Sequence, residues 1–523
     1  MLLNKLTTGL FFFLFYQNVV NALISQFTSL WHPSLASDDT TCSKSKSCRI
    51  GCCGPIDSTG TGYCGFGPDF CGSKCTSDCD RKSECDGGWG KEWANMSTCP
   101  LKVCCSKHGF CGTTVDFCGD KRVVSPECNG NSSRARTIGY YEAWNPERRS
   151  CDKMEPQAIP LGIYSHINFA FGLIDPKTFR IAPMTEAIAS RYRPVTALKG
   201  RQPDLQVYIA LGGWDFNEPG PTRTTFSDLA ASQSAQDAFF ESLTSFMLHN
   251  GFDGVDLDWE YPNADDRGGK PEDFANYVTL VKRLRERLNQ SPKHFGLTLT
   301  LPASYWYLRG FDIVNLEPHV DWFNVMTYDI HGLWDADGKE IGARAYAHTN
   351  LTEINMGLEL LWRNNINPER VILGLGFYGR SFTMVDPQCL TPGCPFKKGE
   401  APAGECTNVP GVLAATEIHR VVKNGASISF DKDAAVKIAT WNTNQWVSWD
   451  DVETLKLKID YANKRCLGGT MVWAIDLDDG TLVEALGKVM DKEKEQLIRK
   501  PPNPIPCFGT PWPKNMNRTW LGT

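Results

Sequence analysis

The sequence contains no block of basic residues and, after residue 22, no stretch long and apolar enough to cross a bilayer. With a net charge of −6 and a pI near 5.9, the first absence sets aside nucleic acid as a partner. The second leaves no transmembrane helix in the body of the chain. The proline-rich C-terminus ends Asn517-Arg518-Thr519-Trp520-Leu521-Gly522-Thr523, without the hydrophobic tail that a lipid-anchor signal needs. Of the 21 cysteines, 15 fall between Cys42 and Cys128, yet His108 is the one histidine among them and no pair is spaced Cys-x2-Cys. Zinc ribbons therefore fit badly. The Asp-x-Asp-x-Asp-Gly spacing of an EF-hand is also missing. Neither a metal nor a cofactor is expected.

What is present is 41% hydrophobic and 22% charged residues, the balance of a folded protein, and 523 residues exceed one ordinary core. Two or three domains are expected. Lys5, the apolar run Leu10 to Tyr16 and the small residues near Ala22 read as a signal peptide over 1–22, so the chain is expected to be secreted and extracellular. A membrane anchor is the alternative, disfavoured by the shortness of the run and by Gln17 and Asn18. The cysteine density agrees with an oxidising compartment, and the odd total leaves one thiol free or paired between chains. Sequons at Asn95, Asn131, Asn350 and Asn517 predict glycosylation; a fifth, Asn289, ends a predicted helix.

Residues 42–128 hold too few aliphatic side chains for a large apolar core, so disulfides must hold them. Cys52-Cys53 and Cys104-Cys105 each open a similar run of cysteines, which predicts two tandem modules, 42–80 and 85–128. Asn129 to Ser133 reads as a flexible linker. From 134 to 490, short strands alternate with helical periodicity. The strands are expected at Thr137–Tyr141, Gly162–Phe171, Gln206–Leu211, Gly254–Asp258, Gly296–Leu301, Trp322–Thr327, Val371–Gly376 and Gly469–Ala474. This α/β pattern predicts a (β/α)8 barrel, with a doubly wound sheet as runner-up. Residues 381–446 predict a small α+β subdomain inserted between strands seven and eight. The pattern fades after Asp479, and 491–523 reads as a tail, with Cys507 placed to tie it down.

The richest segment is Asp253-Gly-Val-Asp256-Leu-Asp258-Trp-Glu260. Period two puts Asp256, Asp258 and Glu260 on one face of a strand, with Asp253 out of phase and structural. Clustered carboxylates repel, so one should keep its proton near neutrality, as the acid of a glycosidase must. Glu260 lies furthest toward the strand's C-terminal end and is the natural donor. Val255, Leu257 and Trp259 alternate with the acids, which is unlike an exposed acidic loop.

Asp253-x-x-Asp256-x-Asp258-x-Glu260 resembles the signature of family 18 glycoside hydrolases, which include chitinases. Leu211-Gly212-Gly213-Trp214, Met326-Thr-Tyr328-Asp329, Phe377-Tyr378-Gly379-Arg380 and Gly469-Thr-Met-Val-Trp473 resemble that family's third, sixth, seventh and eighth strand motifs. Ala210 stands where the family has serine. The resemblance covers about 134–490 and implies a retaining, substrate-assisted hydrolysis of β-1,4-linked N-acetylglucosamine in chitin. It implies Glu260 as acid and then base, Asp258 holding the acetamido N–H, Tyr328 on its oxygen, and Asp256 setting the protonation of Asp258. Trp473 would floor the sugar, with Met326 and Asp329 completing the pocket; Tyr141, Trp144, Trp214 and Trp334 are further cleft candidates.

Cys104-Cys105 through Cys111 to Cys118 resembles the hevein-type chitin-binding module, whose contacts map to Ser106, His108, Phe110 and Phe117. Family connectivity implies Cys42–Cys53, Cys48–Cys64, Cys52–Cys71, Cys75–Cys79, Cys85–Cys105, Cys99–Cys111 and Cys104–Cys118, with Cys128 unassigned. The first module is a looser match. The expected partner is chitin and its oligomers, bound by a monomer, with no membrane partner once the signal is cleaved. The alternatives are a non-catalytic chitin-binding lectin or toxin-delivery subunit, and an endo-β-N-acetylglucosaminidase.

Overall fold

Eight runs of β-branched and aromatic residues become parallel strands: β1 Thr137–Glu142, β2 His166–Ile174, β3 Gln206–Gly212, β4 Gly254–Asp258, β5 Gly296–Pro302, β6 Trp322–Met326, β7 Val371–Gly376 and β8 Gly469–Trp473. The computed structural model describes residues 40–338, 341–401 and 403–492. The predicted signal over 1–22, Cys507, Asn517 and the tail beyond residue 492 lie outside them.

Each strand pairs with its sequence neighbour, and β8 pairs with β1 through Thr470↔Thr137 and Met471↔Ile138. That last ladder closes the sheet, so the chain is a (β/α)8 barrel and not an open doubly wound sheet. The interior face of β4 carries acids, while Val255, Leu257 and Trp259 turn outward and are buried under the helices. Trp259 stacks on Phe226 at 5.3 Å and meets the Tyr277 ring edge-on at 4.9 Å. The helices Gln233–Asn250 and Asp273–Asn289 supply those outer layers with Phe239, Leu243, Leu280 and Leu284. At ~25 cal/mol per Å², apolar burial of this kind is the main driving force for the layer.

Two boundaries differ from expectation. β2 starts at His166, because residues 161–163 form a turn around Gly162, whose φ is 89°. The strand then runs on to Ile174, where it pairs with Ile181–Pro183 in a hairpin. The inserted subdomain begins at Tyr378, not 381. Its antiparallel sheet runs Val412–Ala414, Tyr378–Thr383, Gln445–Trp449, Val436–Trp441, Ser427–Asp431, with the helix Ala415–Lys423 against it. Beyond Asp479, where the pattern faded, Thr481–Met490 is a helix that buries Leu482, Leu486 and Met490.

The cysteine-rich region has only short ladders: Thr41–Cys42, Cys52–Cys53 and Gly62–Gly65 in the first module, Ser83–Cys85 beside Ala94–Met96 and Cys104–Cys105 against Cys111–Gly112 in the second. Its disulfides are Cys42–Cys53, Cys48–Cys64, Cys52–Cys71, Cys75–Cys79, Cys85–Cys105, Cys99–Cys111 and Cys104–Cys118. Three more reach the barrel and its insertion: Cys128–Cys466, Cys151–Cys406 and Cys389–Cys394. Every cysteine among the described residues is thereby paired.

The segment read as a flexible linker is docked. Ser133 is fully buried and gives both its amide and its hydroxyl to Asn463 Oδ1, at 3.1 and 2.7 Å. The Cys128 amide donates to the Lys464 carbonyl at 2.9 Å. Polar composition suggested solvent; these partners on the helix Val452–Lys464 satisfy the same groups inside the fold.

Candidate active site

At the C-terminal mouth of the barrel a cleft of about 1430 Å³ is lined by Tyr140, Trp144, Phe171, Trp214, Asp258, Glu260, Met326, Tyr328, Asp329, Trp334 and Trp473, among others. It sits where strand ends converge, which is where a closed barrel can present side chains from several strands to one ligand.

Asp256, Asp258 and Glu260 share the interior face and are all buried. Asp256 is the deepest. Thr298 donates to its Oδ1 at 2.6 Å, Asn324 Nδ2 to the same oxygen at 3.0 Å, and the Tyr140 hydroxyl to its Oδ2 at 2.5 Å. Burial pushes its carboxyl up, and these donors pull it back. Asp258 has one such donor, Thr300 Oγ1 at 2.6 Å. Burial, then the charges of Glu260 and Asp256, hold Asp258 well above the usual carboxylate range. Burial likewise raises Glu260 to about 7, partly offset by Tyr261 and by Arg267. Three acids packed this closely cannot all ionise near neutrality, so the cluster stores a proton at the mouth.

Close backbone approach lets β3 lie beside this cluster. Gly212, at φ 109°, faces the Asp258 carbonyl so closely that a Cβ would sit 2.2 Å from that oxygen. Gly213, at φ 85°, leaves room for the Phe171 ring. Only glycine suits both positions. Ala210 stands opposite Asp256 in the same ladder.

The floor is aromatic. Trp473 stacks on Phe171 with centroids 5.7 Å apart and planes 24° apart, and Trp144 also stacks on Phe171 at 5.7 Å. Tyr140 tilts against Trp473 at 5.4 Å. Such a surface accepts the apolar face of a sugar ring. On the wall, the Tyr328 hydroxyl lies 3.7 Å from the Met471 sulfur, a weak acceptor that a stronger oxygen can displace. Asp329, at φ 56°, is gripped by Arg380 through Nε at 2.8 Å and Nη2 at 2.6 Å and accepts from the Tyr378 hydroxyl at 2.6 Å. Burial would raise that carboxyl, but Arg380 and His348 hold it well below the usual range.

Tyr141 is corrected. It lies on the outer face of β1, fully buried, its hydroxyl donating to the Met154 carbonyl at 2.8 Å. Alternation along β1 sends Tyr140 into the barrel instead. Asp253 anchors the other end of β4 through Lys199 and Lys293, at 2.8 and 2.7 Å. Trp214, 47% exposed, rims the cleft with Arg267 3.6 Å above its ring. Arg267 was not singled out in the sequence: its Nε donates to the Glu260 carbonyl at 3.0 Å and its Nη2 to the Trp214 carbonyl at 2.5 Å. Phe171 and the buried Arg149, which pairs with Glu142 and Asp476, were also missed. The aromatic that ends the second strand expected from the sequence was a usable signal for Phe171; nothing local marked Arg149 or Arg267.

The module residues divide. Phe110 and Phe117 line the barrel's own cleft. Phe117 is buried against Gly112, and Phe110 meets Phe66 of the first module edge-on at 5.6 Å. Ser106 is buried too, its hydroxyl accepting from the amides of His108 and Phe110 at 3.3 and 3.2 Å, while His108 is exposed. Asn95 and Asn131 are exposed; Asn350 caps the helix Leu351–Arg363 by accepting from the Thr352 amide at 3.0 Å. Among the described residues no helix is long and apolar enough to cross a membrane.

The family model described as Glycosyl hydrolases family 18 matches residues 136–478, and that described as Chitin recognition protein matches 89–130. Probable chitinase LysM11 of Penicillium expansum is 29% identical over 72% of this chain. The killer toxin subunits alpha/beta of Kluyveromyces lactis are 31% identical over 72% of it. The chain spans 35% and 33% of the lengths of these two relatives. Catalytic domain 2 of the Ostrinia furnacalis group II chitinase superposes with a TM-score of 0.61 at 29% identity, over 69% of this chain and 98% of that one.

Proposed function

The chain belongs to family 18 of the glycosyl hydrolases, and from that premise we propose that it is a secreted, glycosylated chitinase. It hydrolyses β-1,4 linkages between N-acetylglucosamine units with retention, using the substrate's own acetamide as nucleophile. The carrying observation is the buried run Asp256, Asp258, Glu260, whose outer two acids line one cleft with Trp473, with Glu260 raised to about 7.

In this reading the sugar at the reacting position lies on Trp473. Glu260 gives its proton to the leaving oxygen as the acetamido carbonyl closes on the anomeric carbon. Asp258 accepts the acetamido N–H and balances the positive charge that develops on the ring so formed. Tyr328 donates to the acetamido oxygen. Glu260, now a carboxylate, takes a proton from the incoming water, and the ring opens with retained configuration. Asp258 needs its charge for this step, so its proton is passed to Asp256, deeper in the barrel, whose carboxyl accepts hydrogen bonds from Tyr140, Thr298 and Asn324. The residues that resemble a chitin-recognition module add a second hold on the polymer. The names of the chitinase relatives and the ten disulfides among the described residues, which suit an oxidising compartment, support this reading.

Glu260→Gln tests it. The variant should fold and bind chitin oligomers while kcat on them falls by roughly a hundredfold or more. Turnover near that of the wild type would remove the mechanism.

A further inference from the structure

We propose that the cysteine-rich modules are a fixed wall of the catalytic cleft, so that one chitin chain reaches from Trp473 past Glu260 onto Phe110 and Phe66. The inference rests on the hydrolase reading above and goes beyond tethering, in which a module merely keeps enzyme near polymer.

The attachment is rigid at both ends of the second module. At one end Cys128 is bonded to Cys466, and Ser133 is buried on Asn463. At the other, Leu101 and Val103 are buried in the same apolar cluster as the barrel core. The Leu101 carbonyl accepts from Asn364 Nδ2 at 2.9 Å, and the Arg363 guanidinium lies 3.7 Å from the sulfurs of Cys104 and of Cys118. The first module is held to the second by the Phe66–Phe110 contact and by Trp89, whose ring lies directly under Gly67. A module free to wander on a linker would show none of these contacts.

The place of attachment matters. Asn364 and Arg363 end the helix that follows β6, and Tyr305 and Trp306 open the short helix Tyr305–Leu308 after β5. In a closed barrel of eight strands, β5 stands across the mouth from β1. Trp473, Trp144 and Phe171, by contrast, come from β8, β1 and β2. Glu260, at the end of β4, lies between. A polymer seated on Trp473 and crossing Glu260 is therefore aimed at the side where the modules dock. The surfaces are continuous: Phe66, Phe110, Glu84 and Thr113 line the same cleft as Tyr305, Trp306 and Glu260. Aromatic faces interleaved with carboxylate and hydroxyl groups match the apolar faces and polar edges of successive sugars. Trp306, 59% exposed with Arg309 3.8 Å from its ring, bridges the barrel and module parts of this track.

The test uses soluble substrates, for which a tether has no role. The full chain and its Phe110→Ala, Phe66→Ala and Trp306→Ala variants are assayed on a chitin octamer and a chitin tetramer. The readout is the ratio of kcat/KM for the long oligomer to that for the short one. Each substitution should lower the ratio, by roughly tenfold for the strongest. A ratio unchanged in all three variants, with retention on insoluble chitin reduced in Phe110→Ala, would overturn the wall and leave a tether. Should Phe110→Ala disturb its small module, as a shifted melting curve would reveal, Phe66→Ala on the first module decides the matter by the same ratio. A wild-type chain that cleaves neither oligomer would instead sink the hydrolase reading.

Discussion

Glu260 is held in a state that water would not allow. A glutamate in an unfolded chain titrates near 4.3, whereas burial lifts this one to about 7. Between those values the folded protein binds a proton that the unfolded chain has lost, so stability falls as pH rises through that window. Above it the charged, buried carboxylate costs up to ~4 kcal/mol. Glu260→Gln should therefore melt higher than the wild type at pH 8, with the gap closing below pH 4; thermal melts across that range measure it. Hydrolysis has the same sign: kcat/KM should decline as pH climbs through about 7, because the acid is lost. The alternation that identified these acids was legible because Val255, Leu257 and Trp259 separate them with outward apolar residues. Tyr140 and Tyr141 were not separable in the same way. Both are bulky and aromatic, and only closure of the barrel decides which of the two faces inward.

At the level of elements, the cleft wall depends on an inserted sheet. Tyr378 and Arg380 belong to the strand Tyr378–Thr383 of that sheet, yet they clamp Asp329 at the end of β6. Replacing Arg380 by Met leaves the Asp329 carboxylate without its cation. The Asp329 side chain retains 36% of its accessibility, so solvent softens the loss, and about 1–3 kcal/mol of stability is expected. Activity should fall as well, because Asp329 lines the pocket beside Tyr328. Denaturant unfolding and kcat on an oligomer measure the two effects; a variant unchanged in both would make the clamp incidental. The insertion was visible in the sequence as a gap too long for a loop. Its true start at Tyr378 was hidden, because β7 and the first strand of the new sheet are separated by Phe377 alone and no turn residues mark the change.

For the whole molecule, the segment between modules and barrel decides how the parts work together. Its composition, Asn129-Gly130-Asn131-Ser132-Ser133, resembles that of a flexible chain, and no local pattern reveals that Asn463 and Cys466, more than 300 residues away, complete it. The Cys128–Cys466 bond closes a loop with a sequence separation of 338, where the chain-entropy account allows about 6 kcal/mol of stabilisation. Arg134 and Arg136 follow directly and offer trypsin two sites. In the wild type the bond and the buried Ser133 hold this stretch against the barrel, so cleavage there should be slow. In a Cys128→Ser, Cys466→Ser double variant it should become several-fold faster, while the module stays docked through Leu101 and Val103 until the cut is made. Equal resistance in both proteins would assign the hold to Ser133 and the apolar contact alone. Rapid cutting of the wild type would mean that the segment opens in solution, and the modules would then act at the end of a tether.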